Sequence, residues 1–193
     1  MKLFKSLLIA WLFLAALSTA FAAEVAGVKF DDTIDLKGSP LVLNGAGVRY
    51  KAIFKVYAAG LYLDKKATTP DGVISQSGAK RMSITMLRNV DANELGKLFY
   101  RGIEENMPKA DFAKIIPDIL RMSQMFSEYK NLKTGDTFTI DWVPGTGTVI
   151  NIKGQPYGAP FKEPEFFNDM MRIWLGPNPA DWKLKDALLG KSS

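Results

Sequence analysis

Histidine and cysteine are both missing from this chain of 193 residues. Without histidine it lacks the commonest general base, the commonest zinc ligand and the usual partner of a serine or cysteine nucleophile. Without cysteine it has no disulfides and no thiolate metal sites, so its stability rests on packing. Concentrated basic charge is missing too. The net charge is +5, but the cations (Lys51, Lys55, Arg81, Arg88, Lys109 and Lys153 among them) are scattered, with no run or stripe. Nucleic-acid binding normally needs a focused basic footprint, so a solvated surface is the better account. Asp31, Asp32 and Asp35 are not followed by a calcium loop with its closing glutamate. Pro144-Gly145-Thr146-Gly147-Thr148 lacks the GK[ST] ending and following helix of a phosphate loop. No metal and no cofactor are expected.

What is present begins with an apolar run over residues 7–17, preceded by Lys2 and Lys5 and followed by Ala20-Phe21-Ala22. A positive start, a short apolar stretch and a small-x-small site describe an export signal, with the mature chain starting at Ala23. The run is short for a bilayer span, and no later stretch is apolar and long enough to cross a membrane. The expectation is a periplasmic protein, with no stable membrane insertion after cleavage. Removing Lys2 and Lys5 leaves a net charge of +3. About 170 residues remain, enough for one domain with a sizeable core. The organisation is therefore residues 1–22 as leader and 23–193 as a single domain, without repeats or internal linkers.

Residues 25–43 alternate weakly and predict short strands with a turn near Gly38-Ser39-Pro40. Thr69-Pro70-Asp71 reads as a helix start, and residues 81–87 alternate as a strand. Asp91 is a good N-cap, and Glu94 three residues on completes a capping box. The helix that follows carries Leu95, Leu98, Phe99, Ile103 and Met107 at helical spacing. A second helix spans roughly residues 110–129, with Leu120 on its apolar face and Pro117 expected to kink or divide it. Period two returns over residues 137–142 and 147–152, flanking a hairpin turn. Pro164 and Glu165 open a helix that Gly176-Pro177 closes, and a last short helix lies near residues 180–189. Strands at both ends, with helices between and after them, predict an α+β fold with helices on an antiparallel sheet.

Residues 44–63 are the richest stretch. Gly45 and Gly47 lead into Arg49 and a long strand whose second half is apolar at both parities, so both of its faces should be covered. Arg49 stands beside this apolar region with a charge that does not titrate away. A fixed cation at the mouth of an apolar space suits an amphipathic ligand with one anionic end. The alternative is a surface arginine at a strand start. Tyr57 shares the parity of Arg49, yet eight extended residues span about 26 Å. The two can share one headgroup only if the strand breaks or bulges between Tyr50 and Phe54. Tyr57 also suits a core aromatic with a satisfied hydroxyl.

Gly45-Ala46-Gly47-Val48-Arg49, followed by Phe54-Lys55-Val56-Tyr57-Ala58-Ala59-Gly60-Leu61-Tyr62-Leu63, resembles the chalcone isomerase family, and in particular its bacterial exported branch. Glu105-Asn106 and Ile173-Trp174-Leu175-Gly176-Pro177 fall in the family's order. The resemblance covers nearly all of the mature chain. It implies an open-faced β-sandwich: one large antiparallel sheet, a helical layer over one side and a ligand cleft between them. It also implies two functional kinds, chalcone-cyclising enzymes and fatty-acid binders without catalysis.

Carried over by position, the enzymes' arginine is Arg49 and their helix asparagine is Asn106. Their strand threonine becomes Tyr57. Their helix tyrosine becomes Phe99, with Tyr100 one place along, and their late hydroxyl falls near Ile173. A shift of one helical residue turns a side chain by about 100°, and losing hydroxyls that orient substrate weakens the enzyme reading. The candidate ligand-binding residues are Arg49, Tyr57, Tyr100 and Asn106, with no catalytic residue assigned. Tyr100 and Asn106 lie about 240° apart around a helix, and Asn106 equally suits a C-terminal cap. The expected function is non-catalytic binding of a small amphipathic carboxylate such as a fatty acid. Two alternatives stand beside it: an isomerase or intramolecular lyase acting on an enone or phenol, and an envelope interaction module without ligand. The sequence identifies no protein partner.

Overall fold

The computed structural model describes residues 22–191; the export signal expected over residues 1–22 therefore lies almost wholly outside the described residues. Seven strands form one fully antiparallel sheet. In chain order the strands are β1 (Ala22–Val25), β2 (Val28–Asp31), β3 (Thr33–Leu36), β4 (Ser39–Lys51), β5 (Phe54–Leu63), β6 (Lys80–Met86), β7 (Val90–Asp91), β8 (Asn131–Leu132), β9 (Thr137–Val143), β10 (Gly147–Ile152) and β11 (Gln155–Phe161). Across the sheet they run β11-β10-β9-β6-β5-β4-β3, while β1 with β2, and β7 with β8, make separate two-stranded pairs. The helices are α1 (Pro70–Ile74), α2 (Ala92–Glu104), α3 (Lys109–Glu128), α4 (Pro164–Leu175) and α5 (Trp182–Leu188). This is the expected α+β open-faced sandwich.

Apolar residues at both parities of β5 have a direct structural reading. Tyr57, Ala59, Leu61 and Leu63 join the main core under the helices. Ala58 and Tyr62 join a second cluster with Phe30, Leu41 and Leu43. Gly60 faces the Phe30 ring so closely that a Cβ there would lie 2.6 Å from it. The β1–β2 hairpin thus covers the second face of β5, as a strand buried on both sides requires. The main core is built around aromatic edges: Phe99 meets Phe126 and Trp174 at 5.6 Å and Phe138 at 5.8 Å between ring centroids. Such tilted contacts match the quadrupoles of the rings.

The structure corrects several readings. The run over residues 44–63 is two strands, because the chain reverses at Ala52-Ile53 with Ala52 at φ 54°. Gly45 and Gly47 lie within β4, and they let α5 approach: a Cβ at Gly45 would collide with the Ala187 carbonyl, and one at Gly47 would stand 2.7 Å from the Ala187 Cβ. Pro117 sits inside an undivided α3, whose buried residues on both sides of the proline hold the turns in place. Leu120 points to solvent. Asp91 caps α2 as expected, but Glu94 pairs with Lys97 rather than completing the box. β11, absent from the sequence reading, is an edge strand, the place where Pro156 and Pro160 cost no central ladder bond.

Candidate functional site

Arg49 and Tyr57 lie directly opposite one another on β4 and β5. Extended strands would place them far apart, but the reversal at Ala52-Ile53 makes them cross-strand neighbours on the helix-covered face. A bulge beside them adds to the effect. Tyr50 pairs with Lys55 while Arg49 pairs with Tyr57, leaving Val56 extra in β5. The Val56 carbonyl is not wasted, since it accepts from the Leu87 N–H at 3.0 Å. Arg49 Cζ stands 5.7 Å from the centre of the Tyr57 ring.

The two side chains line a cavity of about 210 Å³. α2 supplies Leu95, Leu98, Phe99 and Gly102, α4 supplies Ile173, and the α4–α5 connection supplies Asn178, Pro179 and Ala180. Gly102 matters because a Cβ there would press on Ile173 at 3.1 Å. The polar groups here are few and unevenly satisfied. Arg49 Nη1 is buried and has no hydrogen-bond partner among the described residues. Asp181, close enough to act on Tyr57, spends one oxygen on the Tyr50 N–H and the other on the Leu184 N–H at the start of α5. Trp174 Nε1 donates to the Tyr57 oxygen at 2.8 Å, so that hydroxyl keeps its own proton to donate. Burial pushes the Tyr57 phenol up to about 12, against the opposing pull of the Arg49 charge and the Trp174 hydrogen bond. Tyr57 is therefore a neutral donor at any physiological pH. Two residues with donors, one of them charged, line a cavity whose hydrocarbon walls are shared with the polar side chains of Arg101, Glu105 and Asn178.

A second recess of about 250 Å³ adjoins the first, with Arg49 and Leu98 lining both. Lys51, Val56 and Arg88 line its outer side, near the tip of the β4–β5 hairpin.

The other two candidates fall elsewhere. Tyr100 sits edge-on to Phe112 at 5.2 Å and lines a separate groove between α2 and α3. Its neighbour Phe99 takes the place facing Arg49, as the turn of the helix requires. Asn106 is buried, with both of its N–H donors in use: Nδ2 donates to the Gly102 and Asn178 carbonyls at 2.7 and 2.8 Å, and Oδ1 accepts from the Asn178 N–H at 2.7 Å. It has no N–H left to donate to a carboxylate, and instead clamps the connection that closes the cavity. The residues the sequence reading passed over here are Gly102, Arg101, Glu105 and Asn178. Of these, Glu105 stands in the Glu105-Asn106 pair of the family resemblance, and Asn178 directly follows the Gly176-Pro177 helix stop; Gly102 and Arg101 carry no signal in the sequence. Phe99 and Ile173, the positions carried over for a catalytic tyrosine and hydroxyl, both line the cavity with hydrocarbon.

Among the described residues no group of three or more His, Cys, Asp or Glu side chains could hold a metal ion, and no helix is long and apolar enough to cross a membrane.

A family model described as chalcone isomerase-like matches residues 22–190. No curated protein matches the chain. Among solved structures, a fatty-acid binding protein of Arabidopsis thaliana superposes with a TM-score of 0.66 at 15% identity, covering 84% of this chain and 92% of that one.

Proposed function

The chain belongs to the chalcone isomerase-like family, and from that premise we propose that it binds a small amphipathic carboxylate without transforming it. One observation carries the reading: a guanidinium nitrogen that is buried and unpartnered, on an arginine that lines a largely hydrocarbon-walled cavity. A buried donor left unsatisfied is costly, and a carboxylate offers the planar acceptor pair that the guanidinium fork matches. The Tyr57 proton adds a neutral donor from the neighbouring strand. The fatty-acid binding of the Arabidopsis thaliana protein supports the ligand class by analogy of fold. Phe99 and Ile173 favour binding over cyclisation, since neither carries a proton to give or take.

At about 210 Å³, the cavity is smaller than the 300–1,000 Å³ usual for drug-sized ligands. It suits a short or medium acyl chain held by its carboxylate, and a longer chain must run out through the recess beside Lys51 and Arg88. The protein works after export to the periplasm on this reading, with residues 1–22 removed. N-terminal sequencing of the protein recovered from the envelope should begin at Ala23.

Titration calorimetry with octanoate, laurate and methyl laurate tests the ligand. Binding of the acids, weak binding of the ester, and loss of acid affinity in Arg49→Ala are expected. An ester that binds as tightly as its acid, or an Arg49→Ala protein that binds the acids unchanged, would overturn the reading.

A further inference from the structure

Among the described residues, the tip of the β4–β5 hairpin carries most of the exposed large apolar side chains. Ile53 is 83% exposed, Phe54 56% and Tyr50 39%, three of the five large exposed apolar side chains among the described residues. They gather at one end of the ribbon: Phe54 stands opposite Lys51 on one face and Tyr50 opposite Lys55 on the other, with Ile53 in the turn between the strands. The reversal itself is made by Ala52 in a left-handed conformation, which costs an L-residue about 1 kcal/mol. Neither packing nor turn chemistry accounts for an isoleucine and a phenylalanine held in water here.

The charges around the tip say what covers it. Lys51, Lys55 and Arg88 are exposed, and none takes part in an ion pair among the described residues. Arg88 Cζ lies 5.2 Å from the centre of the Phe54 ring. The carboxylates on the opposite, α2 side of the recess are engaged, Asp91 by two backbone N–H groups of α2 and Glu94 by Lys97. Apolar side chains at the apex with free cations a few ångströms behind them match the layering of a bilayer surface. The rings and branched chain reach the acyl boundary while the cations meet headgroup phosphates.

We propose that the β4–β5 hairpin tip docks this protein onto bilayer surfaces bearing anionic lipid, with Ile53, Phe54 and Tyr50 inserted and Lys51, Lys55 and Arg88 in the headgroup layer. Docking in this orientation presents the recess lined by Lys51 and Arg88, and behind it Arg49, to the membrane. A carboxylate ligand would then pass between bilayer and cavity without crossing open water. Docking itself does not depend on the ligand reading, and the two fail separately.

The test uses the protein with vesicles of phosphatidylglycerol and phosphatidylethanolamine, and separately with phosphatidylcholine vesicles, all free of fatty acid. Co-flotation is expected with the anionic vesicles and not with phosphatidylcholine, weakening as salt is raised. Ile53→Ser with Phe54→Ser should lower the partition coefficient on the order of tenfold or more. Lys51→Glu and Lys55→Glu should each lower it about fivefold or more. All four positions are exposed, so circular dichroism and the melting temperature should be unchanged in the variants. A Phe54→Trp variant should report insertion directly as a blue shift of its emission on anionic vesicles. No flotation, or flotation that survives the Ile53→Ser, Phe54→Ser change, overturns the proposal. So does a tip-dependent dimer in light scattering with no vesicle binding, which would assign the tip to a second copy of the chain.

Discussion

Arg81 and Arg49 stand on the same sheet, on β6 and β4, and project from opposite faces. Arg81 neighbours Tyr62 across the strands, on the face covered by β1 and β2, whereas Arg49 neighbours Tyr57 under the helices. Arg81 makes a two-pronged pair with Asp141, Nε to Oδ1 at 2.6 Å and Nη2 to Oδ2 at 2.7 Å. Asp141 is further held by Asn151 at 2.8 Å and Thr139 at 3.1 Å. Both Asp141 oxygens and two of the three Arg81 nitrogens are engaged within the fold. Arg49 has a buried nitrogen and a cavity instead of a carboxylate. Arg121 Nε is also buried without a hydrogen-bond partner, but its guanidinium lies over the Phe161 ring at 3.6 Å, so it is the missing partner together with the cavity that singles out Arg49 for the binding proposed above. Cost, rather than charge, separates the two arginines: one has its carboxylate within the fold, and the other has a buried nitrogen with no partner among the described residues.

That contrast breaks most visibly at Arg81. Arg81→Ala leaves the buried Asp141 carboxylate without its cation, and urea denaturation should show a loss of about 2–3 kcal/mol, with the partial exposure of Arg81 holding it toward the low side. Ligand binding should be retained in whatever remains folded. Arg49→Met should do the reverse. Carboxylate affinity falls on the order of 30-fold, while stability stays within about 1 kcal/mol of the parent or rises, because a buried unpaired donor has been removed.

Tyr57→Phe lies between the two, since Trp174 Nε1 loses its acceptor; a stability loss of about 1 kcal/mol is expected, with a severalfold weaker ligand. It also gives a pH signature. Tyr57 has a folded value of about 12, above its ordinary 10, so its contribution is fully present below pH 10 and is lost as pH rises through 12. Tyr62, likewise raised to about 12 chiefly by burial, adds a second such contribution. Stability measured from pH 9 to 12 should therefore fall less steeply in Tyr57→Phe than in the parent, and equal slopes would remove the buried phenol from the account. The smallest effect is at the turn. Ala52→Gly relieves a positive φ and should raise stability by about 0.5–1 kcal/mol, leaving both arginines as they were.

Much of this was legible in the chain. Apolar residues at both parities of β5 announce a strand covered on both faces, and Asp91, Thr69 and Gly176 mark helix ends where the structure has them. The hairpin was hidden because Lys51-Ala52-Ile53-Phe54 contains none of the glycine, asparagine, aspartate or proline by which tight turns advertise themselves. The same silence concealed that Arg49 and Tyr57 are neighbours. Gly45 and Gly47 misled in the other direction: they look like a turn, but are a bare patch of strand on which α5 rests. Around α2, one residue of phase decides whether Phe99 or Tyr100 meets the cavity, and that phase is set by tertiary packing of Leu95, Phe99 and Ile103 rather than by local pattern.

The seat of α5 on β4 has a kinetic side. Asn44 Nδ2 donates to the Leu188 carbonyl at 2.6 Å across 144 positions of sequence, and it also joins β4 to Ala67 through two bonds. Loop closure over such a separation is slow relative to local helix formation. The strand that carries Arg49 pairs with β5 through a short local turn, whereas its seat under α5 closes only across nearly the whole domain.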